Sequence, residues 1–272
     1  MTRRPGVIDI DKMHAFGAGV TFGKTAADYA RHRAGFPPAF FELLVARGWA
    51  QTGQTVVDLG CGTGTIARGL ALLGATVTGV DPARALMDEA RSLDRAAGVK
   101  VAYQEARAEA TGLASGSVDL VTAGQCWHWF DRRAAAKEVN RLLKRGGRAV
   151  VAHFDWLPLS GNVVEATEAL ILHYNPTWAG SGGTGVYPEW LIDLAQVGLR
   201  ELETASFDVM VRYTHADWRG RIRASAGVAA SLDQELTKAL DTDLAKILAR
   251  DFAINPIVVP HRVWMVTGIA EE

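Results

Sequence analysis

The residues best arranged for chemistry lie in one short stretch, Asp58-Leu59-Gly60-Cys61-Gly62-Thr63-Gly64. It follows the apolar run Val56, Val57, Asp58, Leu59 and precedes a helical pattern, the setting in which a glycine loop holds a ligand rather than merely turning the chain. Glycine permits a tight turn and lets the backbone come close to a bound group, because no Cβ intervenes. A loop for a dinucleotide pyrophosphate carries G-x-G-x-x-G, its third glycine making room at the helix N-terminus. Counted from Gly60, that third glycine falls at position 65, where this chain has Thr65. The spacing is instead G-x-G-x-G, with an acidic residue two positions ahead.

That pattern favours a cationic adenosyl ligand, the methyl donor S-adenosylmethionine. No pyrophosphate needs housing, and Asp58 could accept hydrogen bonds from a cationic ligand or from water around it. Asp81 stands 17 residues after Gly64, at the end of the next apolar run. A carboxylate there can take both hydroxyls of a ribose. Capping the following helix is its plain structural role, and the two are compatible. His153 and His14 are the candidate general bases, the first after the fifth apolar run and the second in a segment expected to fold over the site. The run Trp127-His128-Trp129-Phe130 reads as packing. Trp156, Tyr174, Trp178, Tyr187 and Trp218 fall in a region expected to cap the sheet, where they would line an aromatic pocket or simply fill a core.

These residues need a scaffold. From about residue 40 to 155 short apolar runs alternate with helical patterns, the signature of a parallel sheet with crossover helices. Strands are expected at 56–59, 76–80, 99–103, 118–123 and 148–154. A helix over 66–73 should stop at Gly74. A second begins with Asp81 as N-cap and Pro82 at its first position and stops at Gly98. A third carries Val139, Leu142 and Leu143 and runs to Gly146-Gly147. Five such units give a right-handed, doubly wound sheet. Further on, helices are expected around 163–172, 190–197, 215–226 and 232–252, and strands at 206–213 and 262–269.

Composition narrows the rest. With 272 residues, 49% of them hydrophobic, the chain can bury a sizeable core. A net charge of -1 argues against broad nucleic-acid or anionic-membrane binding. The basic cluster Arg219, Arg221, Arg223 reads as a solvated helix face. Cys61 and Cys126 have no metal-ligand spacing, and no metal site or disulfide is expected. No apolar stretch follows the basic N-terminus and no run reaches transmembrane length, which points to a cytoplasmic protein.

The strings VVDLGCGTG (56–64), GVDPA (79–83), RAEATGL (107–113) and QCWHWFD (125–131) resemble the class I S-adenosylmethionine-dependent methyltransferases, in particular their ubiquinone-biosynthesis-like and trans-aconitate-like branch. The resemblance covers roughly residues 25–155. It implies an α/β, Rossmann-like sheet of seven strands, the last antiparallel, with a helical cap. Carried over by motif, Gly60, Cys61, Gly62 and Gly64 would wrap the donor, Asp81 hold its ribose and Pro82 lie against its adenine. Ala108 and Glu109 would reach the adenine edge, and Gln125 would lie under the methionine end. Tyr29 and Arg33 would belong to an N-terminal helix closing over the donor, with Arg33 facing its carboxylate. The implied organisation is a lid over 1–40, a core over 41–156, a cap with the sixth strand over 157–260 and a last strand over 261–272. The implied activity is methyl transfer to a small molecule, leaving S-adenosylhomocysteine, with an aromatic natural product as the acceptor class and an indole carbon as one specific target. A silent donor-binding partner protein and, less so, a nicotinamide oxidoreductase are the alternatives; the oligomeric state is open.

Overall fold

A computed structural model describes residues 35–225, 227–228 and 231–271. His14, Tyr29 and Arg33 lie outside the described residues. The chain divides into two compact units. One comprises residues 35–154, 187–206 and 263–271; the other contains 155–186 and 207–262.

The first unit holds the βα repeats: α1 (Pro38–Ala46), β1 (Thr55–Leu59), α2 (Thr65–Leu72), β2 (Thr76–Asp81), α3 (Arg84–Ala97), β3 (Ala102–Glu105), β4 (Val118–Gly124) and α4 (Arg132–Leu142). α1 was not expected, although Pro38 at its start and Phe40 and Leu44 on its buried side carry the signal. A division of the chain at 40/41 falls inside this helix. α2 buries Ile66, Ala67 and Leu70, and α3 buries Leu86, Met87 and Ala90. Gly98 ends α3 in the left-handed conformation, φ 69°.

The strands form a seven-stranded sheet in the order β3-β2-β1-β4-β5-β7-β6, with β5 (Leu143–Trp156), β6 (Arg200–Tyr213) and β7 (Ile257–Ile269). β1 to β5 pair in parallel. β7 runs against β5: the carbonyl of Gly147 accepts from Ala270 N at one end, and that of Pro260 accepts from Leu157 N at the other. The sheet is therefore mixed, as the class I resemblance implies. Strand order reverses at β1 and β4, so the crevice beyond their C-terminal ends is the ligand position of an open α/β sheet.

Several boundaries differ from expectation. β3 begins at Ala102, not Val99, because Val99 N is spent on the carbonyl of Asp94 in closing α3. α4 stops at Leu142 and β5 begins at once, with a register shift opposite β4 absorbing residues 144–147. Asp81 does not serve as N-cap: α3 starts at Arg84 with Ala83 as N-cap, and Pro82 lies in the turn before it.

In the second unit, α5 (Val163–Tyr174), α7 (His215–Arg223) and α8 (Gln234–Asp251) pack together; α6 (Glu189–Gln196) belongs to the first unit. The arginine cluster is not a solvated face. Arg219 and Arg223 of α7 both bind Asp241 of α8, the latter at 2.6 Å, and the guanidinium of Arg221 lies 4.8 Å from the ring centre of Trp156.

Candidate active site

The glycine loop leaves β1 and enters α2. Gly60, Gly62 and Gly64 have φ of 60°, 52° and 77°, which L side chains rarely adopt. Their surroundings differ. A Cβ on Gly60 would stand 2.8 Å from Cys126 Sγ, and one on Gly64 would run into the hydroxyl of Tyr103. A Cβ on Gly62 would meet nothing within 4 Å. The loop is thus packed at both ends and open in the middle.

Asp81 faces that opening. Its Oδ2 accepts from Gly62 N at 2.9 Å and its Oδ1 from Ala83 N at 2.8 Å, so one carboxylate ties the end of β2 to the loop after β1. Each oxygen keeps a second lone pair for a ligand hydroxyl. Burial raises its pKa, and the two amides pull it back. Pro82 beside it is exposed. These features fit an adenosyl ligand: an acid for a ribose, glycine backbone for close approach, and no third glycine at Thr65, whose methyl packs against Gly35.

Asp58 differs from expectation. It is 2% exposed, and both oxygens are taken by the protein: Oδ1 accepts from Thr122 Oγ1 at 2.7 Å and Oδ2 from Ala67 N at 3.1 Å. The register explains this, since Asp58 of β1 pairs with Thr122 of β4. Its carboxyl pins β4 and the start of α2 around the loop and faces no solvent. Desolvation raises its pKa to about 7 against the bonds from Thr122 and Ala67, with the charge of Asp81 adding to the rise. A hydroxyl inside the apolar run 118–123 was the available signal for Thr122.

The remaining loops close the same crevice. Cys61 is buried, its thiol pKa pushed up by desolvation and by Asp58 and Asp81; the Cys126 thiol donates to the carbonyl of Leu59 at 3.1 Å. Gln125 follows β4 with φ 60°, a left-handed conformation rare outside glycine, and its amide nitrogen donates to the carbonyl of Phe154 at 2.9 Å. Ala108 is 3% exposed. Glu109 accepts from Asp131 N at 2.9 Å and pairs with Arg107 at 3.4 Å, which anchors the loop after β3.

His153, on β5, is 6% exposed and packs among rings of the first unit: centroids lie 4.7 Å away at Tyr187, 5.2 Å at His128 and 5.8 Å at Trp190. Tyr187 and Trp190 stack at 4.4 Å, so Tyr187 belongs to this cluster and not to a cap. Asp193 of α6 accepts from Trp127 Nε1 at 2.9 Å and fixes the turn after β4. The other aromatic residues expected to line a pocket are mostly committed to packing in the second unit. Trp218 is fully buried and donates to Thr167 Oγ1, Trp156 donates to Glu168, and Trp178 is 6% exposed. Tyr174 donates to Asp243. Among the described residues no group of His, Cys, Asp and Glu has the arrangement of a metal site.

Residues 57–151 match the profile of a family described as a methyltransferase domain. An uncharacterised methyltransferase of Mycobacterium tuberculosis is 35% identical over 129 residues, 47% of this chain and 50% of that protein. Another, of Schizosaccharomyces pombe, is 33% identical over 131 residues, 48% and 51% of the two chains. The chain thus spans about half the length of the curated relatives it matches. Among solved structures, a protein of Anaeromyxobacter dehalogenans assigned as a type II methyltransferase superposes with TM-score 0.61 at 22% identity, covering 88% of this chain and 97% of its own. YcgJ of Bacillus subtilis gives 0.56 at 22%, covering 85% and 98%. These likenesses carry the fold. Over residues 57–151 the chain is thus similar to methyltransferase domains, in agreement with its loop motif and strand order.

Proposed function

We propose that the protein transfers the methyl group of S-adenosylmethionine to a small molecule. The observation that carries the reading is the Asp81 carboxylate bonded to Gly62 N at the open middle of the loop. When bound, the donor supplies a methyl group already activated by its sulfonium. The work left to the chain is binding, orientation and exclusion of water. Asp81 and the Gly60–Gly64 backbone hold the adenosyl part, and Gln125, on its strained turn, faces the reacting end.

An acceptor hydroxyl or amine would need a base, and His153 or His14 would supply it; an electron-rich aromatic carbon would need orientation alone. An aromatic acceptor draws its support from the tryptophan content, and the packing of Trp156, Trp178 and Trp218 weakens it. Hydroxyl, amine and aromatic-carbon compounds therefore enter an acceptor screen on equal terms. Among the described residues no helix is long and apolar enough to cross a membrane.

Calorimetry with S-adenosylmethionine, S-adenosylhomocysteine and NADH on wild type and Asp81→Ala tests the reading. Both adenosyl ligands should bind, and the substitution should weaken them about tenfold or more through loss of a charged acceptor. No adenosyl binding, or tight NADH binding instead, overturns it. Product formation from any screened acceptor separates an enzyme from a silent donor-binding partner.

A further inference from the structure

A second set of side chains reaches the glycine loop from α2, α3 and β3. Arg68, in the first turn of α2, directs both terminal nitrogens at the carbonyl of Thr63, at 3.1 and 2.6 Å. Its Nε lies 3.4 Å from Asp94 Oδ1. Asp94, on α3, is 3% exposed, and its Oδ2 accepts from the Tyr103 hydroxyl at 2.7 Å. That hydroxyl lies so close to Gly64 that no Cβ could stand there, and the ring leaves Gly79 of β2 no Cβ either, with Cε1 only 2.8 Å from its position. Arg91 covers the ring at 5.3 Å.

The Thr63–Gly64 peptide is held from both sides. Arg68 takes its carbonyl, and its N–H donates to the carbonyl of Cys61 at 2.8 Å. A peptide is planar, so fixing the carbonyl also fixes the N–H and the path into Gly64. Arg68 and Asp94 balance each other's charge, so this partly buried cation can serve a neutral carbonyl without being left unpaired. Burial and the neighbouring Asp94 keep the Tyr103 phenol protonated, so it remains a donor. None of these three side chains belongs to the loop motif.

We propose that Tyr103, Asp94 and Arg68 are positioning residues that act in series on the Thr63–Gly64 peptide and thereby set the affinity for the methyl donor. The inference rests on the donor reading of the loop and deepens it.

The test compares wild type, Arg68→Met, Arg68→Lys, Tyr103→Phe and the Arg68→Met/Tyr103→Phe double variant. Two readouts are taken well below each melting temperature: calorimetric Kd for S-adenosylhomocysteine and hydrogen exchange of the Gly64 amide. Arg68→Met should weaken binding about tenfold, and Tyr103→Phe, which keeps the ring, about threefold, in line with one charged and one outer hydrogen bond. Arg68→Lys should recover part of the loss. The double variant should bind about as weakly as Arg68→Met alone, because links in series are not additive. Gly64 exchange should quicken in the same order. Folded variants with lowered melting temperature but wild-type Kd and exchange would show a merely structural role and overturn the proposal. If Arg68→Met does not fold, Tyr103→Phe decides by the same criteria. If wild type binds no S-adenosylhomocysteine, the donor reading fails, and with it the affinity role; unchanged Gly64 exchange in the variants then removes the positioning role as well.

Discussion

Gly62 and Gly64 share a backbone conformation but not a neighbourhood, and alanine at each should separate ligand space from packing space. At either position a left-handed φ strains an alanine by about 1–2 kcal/mol. At Gly62 little should be added to that, since nothing lies within 4 Å of the new methyl. At Gly64 the methyl meets the Tyr103 hydroxyl and stands 3.2 Å from Ala90 Cβ. Tyr103 must then move and weaken its bond to Asp94, which costs about 1 kcal/mol more, with local overpacking added. Gly64→Ala should therefore destabilise by about 2–4 kcal/mol and Gly62→Ala by about 1–2. Urea unfolding gives both values. Calorimetry with S-adenosylhomocysteine gives the other half of the contrast: Gly62→Ala, whose methyl enters the space assigned to the donor, should lose about tenfold or more in affinity, out of proportion to its small loss of stability. Wild-type affinity in Gly62→Ala, or a Gly64→Ala protein as stable as Gly62→Ala, would refute the division of the loop into a packed end and an open middle.

Two further outcomes follow from buried groups. With its pKa raised from an ordinary 3.8 to about 7, Asp58 keeps a proton in the folded chain that the unfolded chain has released. Stability should then fall as pH rises from about 4 to 7 and level off above, by on the order of 4 kcal/mol from this group. Asp58→Asn, which preserves a partner for Ala67 N and one for Thr122, should flatten that slope; parallel wild-type and variant curves in urea titrations would remove the assignment. His153→Ala should cost about 2–3 kcal/mol by emptying part of the aromatic cluster. If His153 is also a base, turnover of a hydroxyl or amine acceptor drops about 100-fold; near wild-type turnover in both His153→Ala and His14→Ala eliminates a histidine base.

What the sequence disclosed was local. The Gly60–Gly64 loop is readable because its residues are neighbours in the chain as well as in the fold, Asp81 because it ends the strand beside that loop, and Gly98 because a left-handed residue ends a helix wherever it occurs. The roles that escaped depend on neighbours distant in sequence. Asp58 looks like a ligand residue until β4 brings Thr122 beside it. Tyr103, Asp94 and Arg68 are unremarkable singly and form a chain only when β3, α3 and α2 meet. The aromatic residues expected to line a pocket could not be told from core, since which side of an irregular segment faces inward is decided by partners such as Thr167 and Glu168. Val99 failed for a local reason that is easily overlooked: an apolar residue just after a helix-ending glycine is claimed by the helix it follows.

The strand order also has a consequence for how the chain is made. β6 leaves the ribosome before β7, yet β7 is the strand that joins β6 to the rest of the sheet. Until residues 257–269 have emerged and inserted beside β5, the 14 residues of β6 have no sheet to join. For that interval a long strand with unpaired backbone groups and alternating apolar side chains is a template for pairing with another nascent chain. Its charged positions, Arg200, Glu201, Glu203, Asp208 and Arg212, oppose such pairing between identical strands, so they bear on the yield of folded protein during synthesis as much as on the finished fold.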